Sequence, residues 1–378
     1  MKQPEILTPP TDLVPTGSPS GDFDTVIRQK TAEPADPTDW QTAMKRAIRS
    51  RQELLQRLQI PLDRFSETRI SDTNAVESQS TFPTFVPLEF LQRMTVGDPH
   101  DPLLRQVLTS AAEFESVDGF GPNPVGDLEA VSAPGLLHKY DGRALMIATG
   151  ACGVHCRYCF RREFPYASTQ TQNERWRAAA QYVQEHHEID EVLLSGGDPL
   201  TLTDERLIEL LESIESIEHV RRLRIHSRMP VVIPQRVTDH LVDRLAQSPL
   251  TTWFVIHMNH PNEWDDGVHT AIAKLIDAGI PVLNQAVLLR GVNDDVDTLE
   301  KLCKTLVNHR VQPYYLHQLD RVHGAAHFEV PQSDGVVLIE QLRQRLPGYA
   351  MPTFVRELAG EPSKTPVATP PVADRPVH

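Results

Sequence analysis

The chain has 378 residues and a formal net charge of −14, and 40% of its residues are hydrophobic and 23% charged. This length is enough for one large domain with extensions. The negative net charge disfavours general nucleic-acid binding, which needs clustered Lys and Arg. No apolar stretch reaches the roughly 18 residues that a spanning helix requires, so we expect neither a nucleic-acid nor a membrane partner.

The N-terminal part divides into a tail and a helical region. Residues 1–37 are rich in proline and poor in large apolar residues, which predicts a disordered tail. Thr38 and Gln41 form a candidate capping box for one helix that Pro61 ends. The apolar residues expected on one face of that helix are Trp40, Met44, Ile48, Leu54, Leu55 and Leu58. Further short helices would complete a helical region over residues 38–130.

From Leu145 onward, short apolar runs alternate with amphipathic segments. The six runs predicted to be strands are 145–149, 191–197, 222–227, 252–258, 282–289 and 311–318. Alternating strands and helices predict a parallel α/β sheet, which right-handed crossovers curl into a partial TIM-type (β/α)6 barrel over residues 131–345. In such barrels the chemistry lies at the C-terminal ends of the strands.

Three cysteines follow the first predicted strand with the spacing C-x3-C-x2-C: Cys152, Cys156 and Cys159. Three such thiolates can hold three irons of a [4Fe–4S] cluster and leave the fourth iron open. Buried structural thiols rarely crowd in this way, a zinc site would need a fourth ligand such as His155 or Cys303, and disulfides would leave an odd cysteine. An oxygen-sensitive cluster fits a reducing compartment, so we expect a cytoplasmic protein.

The segment SGGDPL, residues 195–200, ends the second predicted strand on the same rim as the cysteines. Gly196 and Gly197 would let the backbone approach a ligand closely, and Asp198 adds an acceptor for an ammonium group. Many strand-to-helix turns contain such a sequence, so its value depends on the neighbouring cysteines.

Two basic features are ambiguous in the local sequence. Arg221, Arg222, Arg224 and Arg228 form either a solvated face or an anion-binding group. Lys364 lies in AGEPSKTPV, within a C-terminal segment over residues 346–367 that precedes a second disordered tail at 368–378. A lysine in such a loop is usually solvated, whereas a Schiff-base lysine needs an accessible amine beside a phosphate site.

Together these motifs resemble known enzymes. The cysteine spacing with Tyr158 resembles the radical S-adenosylmethionine superfamily, and SGGDPL resembles the turn with which that superfamily binds the cofactor's amino group. With the Lys364 motif, residues 88–367 resemble the lysine 2,3-aminomutase family. The stretches most similar to the branch that makes (R)-β-lysine for elongation factor P are PLLRQVLTS (102–110), PGLLHKY (134–140), RLRIHSRMPVVIPQR (222–236), PYYLHQLDRVHGAAHF (313–328) and GEPSKTP (360–366).

The resemblance implies an isomerase with a radical S-adenosylmethionine barrel and three cofactors: a [4Fe–4S] cluster on the three cysteines, S-adenosylmethionine and pyridoxal 5′-phosphate. Lys364 falls on the catalytic lysine that holds pyridoxal phosphate, and Tyr140 and Arg143 fall on positions that contact it. The positions that fall near S-adenosylmethionine are Tyr158, Gly196, Gly197, Asp198, His257, Asn259 and Gln285.

The resemblance also implies a substrate, free lysine. Arg161 falls on the position that pairs with its carboxylate, and Asp320 and Glu357 fall on carboxylates that bind its distal amine. One methylene in an apolar pocket discriminates by only about 1–3 kcal/mol, so separating lysine from ornithine needs placed charges. The implied partners are an electron donor such as flavodoxin or ferredoxin and, indirectly, elongation factor P through its β-lysyl ligase.

Departures from the catabolic relatives keep alternatives open. A proline-rich tail replaces their zinc-binding segment, so no structural zinc is expected and the oligomeric state stays open. Glu357 replaces their aspartate, and residues 360–363 replace their glycine run. The rivals are a catabolic or osmolyte-producing enzyme giving (S)-β-lysine, a cluster protein for electron transfer or sensing, and a radical enzyme that consumes S-adenosylmethionine.

Overall fold

The protein is described by a computed structural model that covers residues 39–61, 82–166 and 170–367. Both predicted tails, 1–37 and 368–378, lie outside the described residues. Among the described residues, none of the helices has the length and apolar character needed to cross a membrane.

The N-terminal region begins with two short helices, α1 (Trp40–Arg46) and α2 (Arg51–Arg57). The prediction of one long helix is wrong because the chain leaves the helix at Ile48. The backbone of Ile48 pairs instead with that of Val86, through hydrogen bonds of 2.8 and 2.9 Å. The apolar face is nevertheless buried as predicted, because both helices pack on the core.

The first helix also begins one residue later than predicted. Its N-cap is Asp39, whose carboxylate accepts the Thr42 N–H at 2.9 Å, whereas Thr38 of the proposed capping box lies outside the described residues. Among the described residues of this region, two more α-helices follow, α3 (Leu88–Leu91) and α4 (Pro102–Arg105).

In the part of the chain that the structure describes, ten strands form one sheet whose spatial order equals the chain order. They are β1 (Val131–Ala133), β2 (Leu136–Tyr140), β3 (Arg143–Thr149), β4 (Glu191–Gly196), β5 (Arg222–Ser227), β6 (Thr251–His257), β7 (Val282–Val287), β8 (Gln312–His317), β9 (Thr353–Arg356) and β10 (Thr365–Pro366). Strands β3 to β9 are parallel, while β1, β2 and β10 pair antiparallel. Since β1 and β10 do not pair within the described part of the chain, the barrel is open.

The six predicted strands are confirmed as β3 to β8, and the predicted α/β barrel class with them. The four flanking strands were missed because they are short or half-exposed and carry no long apolar run; β1, for example, has no buried residue. Strands β9 and β10 lie in the C-terminal segment that was predicted to carry Lys364.

The helices outside the sheet are α5 (Gln172–Glu185), α6 (Asp204–Glu215), α7 (Met229–Val232), α8 (Asp239–Ala246), α9 (Asp266–Asp277), α10 (Val296–Asn308) and α11 (Gln332–Arg345). Each contributes buried apolar residues to the main hydrophobic core; α5, for example, buries Trp176, Ala179 and Val183, which share one face at helical spacing.

Alternation along the strands places polar side chains inside the barrel. In β5, Leu223 and Ile225 are fully buried in the core, while Arg224 and His226, on the opposite face, line an interior cavity. The cavity wall is mixed, because apolar side chains such as Leu145 and Leu193 line it beside the polar ones.

Candidate active site

The cysteine loop follows β3 directly, and Cys152, Cys156 and Cys159 are all unpaired and partly buried. Burial, together with the charges of Cys159, Asp198 and Cys156, raises the pKa of the Cys152 thiol well above its ordinary value. Burial and the charge of Cys156 raise the pKa of Cys159 to about 11. Thiols that influence one another in this way lie close together, and a metal group must supply the positive charge that stabilises them as thiolates.

This arrangement fits a cluster better than a single ion. Among the described residues, no group of three or more His, Cys, Asp or Glu side chains is placed to hold one metal ion. The three thiolates of a [4Fe–4S] cluster do not need to converge on one ion, because each thiolate binds a different iron. His155 Nδ1 contacts the Pro83 carbonyl at 2.7 Å, and Cys303 lies in the apolar core, so both candidate fourth ligands are engaged elsewhere.

The SGGDPL turn packs directly against the cysteine loop. The Gly197 N–H donates to the Thr149 carbonyl at 2.8 Å, and the Asp198 N–H donates to the Ala151 carbonyl at 2.7 Å. A Cβ on Gly197 would lie 2.1 Å from the Ala151 oxygen, and one on Gly196 would lie 2.7 Å from the Thr149 oxygen. The glycines are therefore needed here for close approach to the cysteine loop, in addition to any approach to a ligand.

Asp198 connects the turn after β4 with the end of β5. Its carboxylate accepts the Ser227 hydroxyl at 2.7 Å and the N–H groups of Arg228 at 2.7 Å, Leu200 at 3.0 Å and Met229 at 3.2 Å. Burial raises its pKa to about 6 despite these donors. The contact predicted with an ammonium group would have to form in addition to these four hydrogen bonds, so that role stays a prediction.

Tyr158 lies in a buried polar group beside the cysteines. Its hydroxyl accepts hydrogen bonds from Arg228 Nη1 at 2.7 Å and from Asn259 Nδ2 at 2.6 Å. The Asn259 Oδ1 accepts the Val287 N–H at 2.8 Å, and the side chain does not line the cavity described next. Asn259 thus joins the ends of β6 and β7 in this structure, and its contact with S-adenosylmethionine stays a prediction.

A cavity of about 380 Å³ opens inside the barrel. Its lining runs from Ser195 and His257, near the C-terminal ends of β4 and β6, to Arg143 at the beginning of β3, so it is not confined to the C-terminal strand ends. The predicted site residues that line it are Tyr140, Arg143, Arg161, His257, Gln285, Asp320, Glu357 and Lys364. Lining residues that the sequence reasoning did not single out are Asp127, Lys139, His226, Tyr314, Tyr315 and His317, and Arg224 joins them from the arginine run left undecided.

Lys364 contacts Glu357 directly. The Lys364 ammonium group meets one carboxylate oxygen of Glu357, and Lys139 Nζ meets the other at 2.8 Å. Burial alone would raise the pKa of Glu357, but the two ammonium groups hold it well below its usual range. Glu357 is therefore ionised and fixed before any ligand binds.

Arg161 continues this network on the other side. Arg161 Nε lies 2.6 Å from one oxygen of Asp127, and Lys139 Nζ lies 2.6 Å from the other. Five side chains thus form an unbroken ion-pair chain in the order Arg161, Asp127, Lys139, Glu357 and Lys364. This ion-pair chain connects the position predicted to bind the substrate carboxylate with one predicted to bind its distal amine.

Asp320 lies close to this chain without a partner cation of its own in the described ion pairs. Burial, with the nearby charge of Glu357, raises its pKa to about 7. Asp320 and Glu357 also line a second, outer cavity of about 580 Å³. The two carboxylates therefore lie between the outer cavity and the barrel interior.

The interior residues fit pyridoxal phosphate. The Arg143 guanidinium lies 4.5 Å from the Tyr140 ring centroid, and Arg143 and Arg224 offer planar cations suited to a phosphate dianion. Among the described residues, the Nε2 atoms of His226, His257 and His317 are buried and have no hydrogen-bond partner. Such nitrogens on a cavity wall are available for a hydrogen bond to a bound group or to water.

The histidines are held neutral. Burial, with Arg228 and Arg161 nearby, lowers the pKa of His257 to about 4, and burial with neighbouring cations lowers those of His226 and His317 well below the ordinary value. Gln285 lies beside them on β7 and lines the same cavity. The barrel interior thus offers neutral hydrogen-bonding groups near its cysteine rim.

Sequence reasoning missed Lys139 for a structural reason. It precedes Tyr140 in β2, and adjacent strand residues normally point to opposite faces. A register irregularity between Leu137 and Tyr140 lets both reach the cavity. Asp127 lies in a loop with no periodic pattern, and only its tertiary contacts identify it.

Comparisons with known proteins agree with this geometry. The sequence profile described as "Radical SAM superfamily" matches residues 146–303. The L-lysine 2,3-aminomutase of Escherichia coli (strain K12) is 46% identical over 329 residues, which cover 87% of this chain and 94% of that protein. The protein of the same name from Haemophilus influenzae is 42% identical, covering 86% and 95%. The one from Clostridium subterminale is 37% identical, covering 89% and 80%.

Proposed function

The chain belongs to the L-lysine 2,3-aminomutase family of radical S-adenosylmethionine enzymes, and from this premise we propose that it converts (S)-α-lysine to (R)-β-lysine for the modification of elongation factor P. Members of this family are isomerases that use a [4Fe–4S] cluster, S-adenosylmethionine and pyridoxal phosphate. The substrate assignment, the product and the roles of individual residues are the proposal.

The observation that carries the lysine assignment is the charge arrangement around Glu357. In the ligand-free chain its carboxylate is shared by two ammonium groups, those of Lys364 and Lys139. Bound to pyridoxal phosphate, Lys364 would no longer place a free ammonium group on this carboxylate. Glu357 could then accept a second cation, and the distal ammonium group of lysine would supply it, with Asp320 alongside.

The other end of the substrate meets Arg161. Its guanidinium is oriented by Asp127 and donates to Ser195 Oγ at 3.3 Å. The remaining N–H groups of the guanidinium can donate to a substrate carboxylate. Lysine bound at both ends is stretched across the cavity, so its Cα and Cβ are fixed between Arg161 and Glu357. Such positioning is a large part of what a protein contributes to catalysis.

The cofactors have distinct residues. Cys152, Cys156 and Cys159 would hold the cluster, and Lys364 with Arg143 would hold pyridoxal phosphate. When bound, the cluster with S-adenosylmethionine would supply one-electron chemistry for hydrogen-atom abstraction from Cβ, and pyridoxal phosphate would supply a conjugated ring over which the unpaired electron is delocalised while the amine migrates. Burial keeps His257 neutral, so this side chain would add no charge to the cavity.

The elongation factor P branch is supported by sequence. The stretches at 102–110 and 313–328 resemble that branch, and Glu357 stands where catabolic relatives carry aspartate. The chain also covers 94% and 95% of the relatives from Escherichia coli and Haemophilus influenzae, but 80% of the Clostridium subterminale protein. The longer side chain of glutamate places the carboxylate at position 357 differently from that of aspartate, which changes the position in which lysine binds.

Chiral analysis of the product tests the proposal. Anaerobically reconstituted protein is given (S)-lysine, S-adenosylmethionine, pyridoxal phosphate and a strong reductant, and β-lysine is resolved on a chiral column. We expect (R)-β-lysine. The (S)-product would move the chain to the catabolic branch.

Two controls define a negative result. A Cys156→Ala variant and a reaction without S-adenosylmethionine should give no product. If an iron-replete wild-type protein also forms no β-lysine, the lysine assignment is wrong, and stoichiometric release of deoxyadenosine would identify a radical enzyme that consumes S-adenosylmethionine.

A further inference from the structure

We propose that Arg228 is a positioning residue that sets the reduction potential of the cluster by donating a hydrogen bond to its Cys156 ligand. Arg228 Nη1 lies 2.8 Å from Cys156 Sγ, well within hydrogen-bonding distance of a sulfur acceptor. Arg228 belongs to the arginine run whose role the sequence left open. The proposal goes beyond the proposed function because it concerns reduction of the cluster, whichever product the enzyme makes.

The side chain is held in place independently of the thiol. Arg228 Nη2 donates to Gln106 Oε1 at 2.7 Å and to Glu263 Oε2 at 3.0 Å, while Nη1 also donates to the Tyr158 hydroxyl at 2.7 Å. Its side chain is only 6% exposed, and its backbone N–H is fixed by Asp198. The guanidinium therefore cannot turn away into solvent when the thiol becomes an iron ligand.

A buried cation beside a cluster sulfur has a predictable effect. Hydrogen bonds to cluster sulfurs and nearby charge are among the factors that set the potentials of iron–sulfur clusters. Reduction adds one negative charge to the cluster, so a cationic donor stabilises the reduced form more than the oxidised form. Arg228 thereby raises the potential, and the carboxylate of Glu263 offsets part of its charge.

The cluster carries further cations on its other side. The charges of Arg161 and Arg162 act on Cys159, and the Arg161 N–H hydrogen-bonds the same sulfur. Arg161 is already paired with Asp127, and Arg162 with Glu113 through a 2.7 Å contact. These pairs remain in place when Arg228 is changed, so the effect of Arg228 can be measured by itself.

The experiment compares Arg228→Met with Arg228→Lys in the full-length, reconstituted protein. Iron and sulfide content are measured first. The midpoint potential is then determined by an anaerobic redox titration followed by electron paramagnetic resonance, without S-adenosylmethionine. Arg236→Met is the matched control, because Arg236 is equally buried but its guanidinium pairs with Asp204 at 2.9 Å and the Leu200 carbonyl at 2.7 Å.

We expect Arg228→Met to lower the ratio of reduced to oxidised cluster at a fixed potential by about tenfold, which is about 59 mV for one electron. Arg228→Lys should recover part of the shift because it keeps the charge. Arg236→Met should behave as the wild type. An unchanged midpoint potential in an iron-replete Arg228→Met protein would overturn the proposal, even if that variant bound S-adenosylmethionine weakly. An equal shift of the midpoint potential in Arg236→Met would also overturn it.

A second variant covers the case in which Arg228→Met fails to retain its cluster. Glu263→Gln removes the countercharge of Arg228 without removing the donor, so the potential should rise, opposite in direction to Arg228→Met. A potential that falls or stays unchanged in iron-replete Glu263→Gln contradicts the proposal.

Discussion

Replacing Asp320 with asparagine should make the protein more stable at alkaline pH while weakening lysine binding. Asp320 is enclosed beside the ionised Glu357, and burial together with that charge raises its pKa to about 7. The carboxylate is therefore costly to ionise in the ligand-free protein. An enzyme keeps such a group where a ligand cation will neutralise it.

The size and direction of the effect follow from linkage. The folded-state pKa lies above the ordinary value of 3.8, so the folded state binds the proton more tightly. The stability that Asp320 contributes is fully present below about pH 4 and is lost as the pH rises to about 7. At about 1.36 kcal/mol per pKa unit, over about two units, the free energy of unfolding of Asp320→Asn should rise by roughly 2.7 kcal/mol relative to wild type between pH 5 and pH 8.

The assay is urea denaturation of both proteins without lysine at several pH values from 5 to 8. Asp243→Asn, a change on the exposed face of α8, is the control and should show a constant offset. Lysine added at pH 8 should stabilise the wild type but have little effect on Asp320→Asn. If the difference between wild type and Asp320→Asn does not change with pH, Asp320 does not carry the raised pKa and the reasoning fails.

Three further substitutions test the other parts of the site. Cys156→Ala should lose the cluster and all activity, measured as bound iron and β-lysine formed; full iron content would exclude this cysteine as a ligand. Lys364→Ala should keep its iron but lose the visible absorbance of lysine-bound pyridoxal phosphate, and survival of that absorbance would refute the lysine assignment. Asp127→Asn should raise the KM for lysine by about 10- to 100-fold with pyridoxal binding unchanged, because it breaks the charged hydrogen bonds to Arg161 and Lys139; an unchanged KM would show that the ion-pair chain does not position the substrate.

The barrel could be predicted because its strands have a signal in the local sequence. Each of β3 to β8 is a short apolar run between amphipathic segments, so the period of the apolar residues and the spacing of the runs were sufficient to predict these strands. The break after α1 was not predictable in this way, since the apolar spacing continues through Ile48. What ends the helix is a backbone pairing with Val86, which is distant in sequence.

The site shows the same division between local and tertiary information. The three cysteines could be proposed from their spacing alone, and the glycine turn from its position beside them. Asp127 and Lys139 could not be proposed, because their importance arises from ion pairs with Arg161 and Glu357 that only the folded chain brings together. Asp198 was expected to accept a hydrogen bond from an ammonium group, which stays a prediction, and its four protein donors could not be inferred from the local sequence GGD.

The order of strands in the sheet has a consequence for how the enzyme is assembled. Because every strand pairs with its neighbours in sequence, a chain synthesised from its N-terminus can add each strand to the edge left by the previous one. The contacts of the Asp198 turn with the cysteine loop and with the end of β5 can form once β5 is synthesised. Lys364 precedes β10, the last strand of the sheet in the described part of the chain. The cysteines proposed to bind iron are therefore synthesised, together with most of the sheet, well before the lysine proposed to hold pyridoxal phosphate.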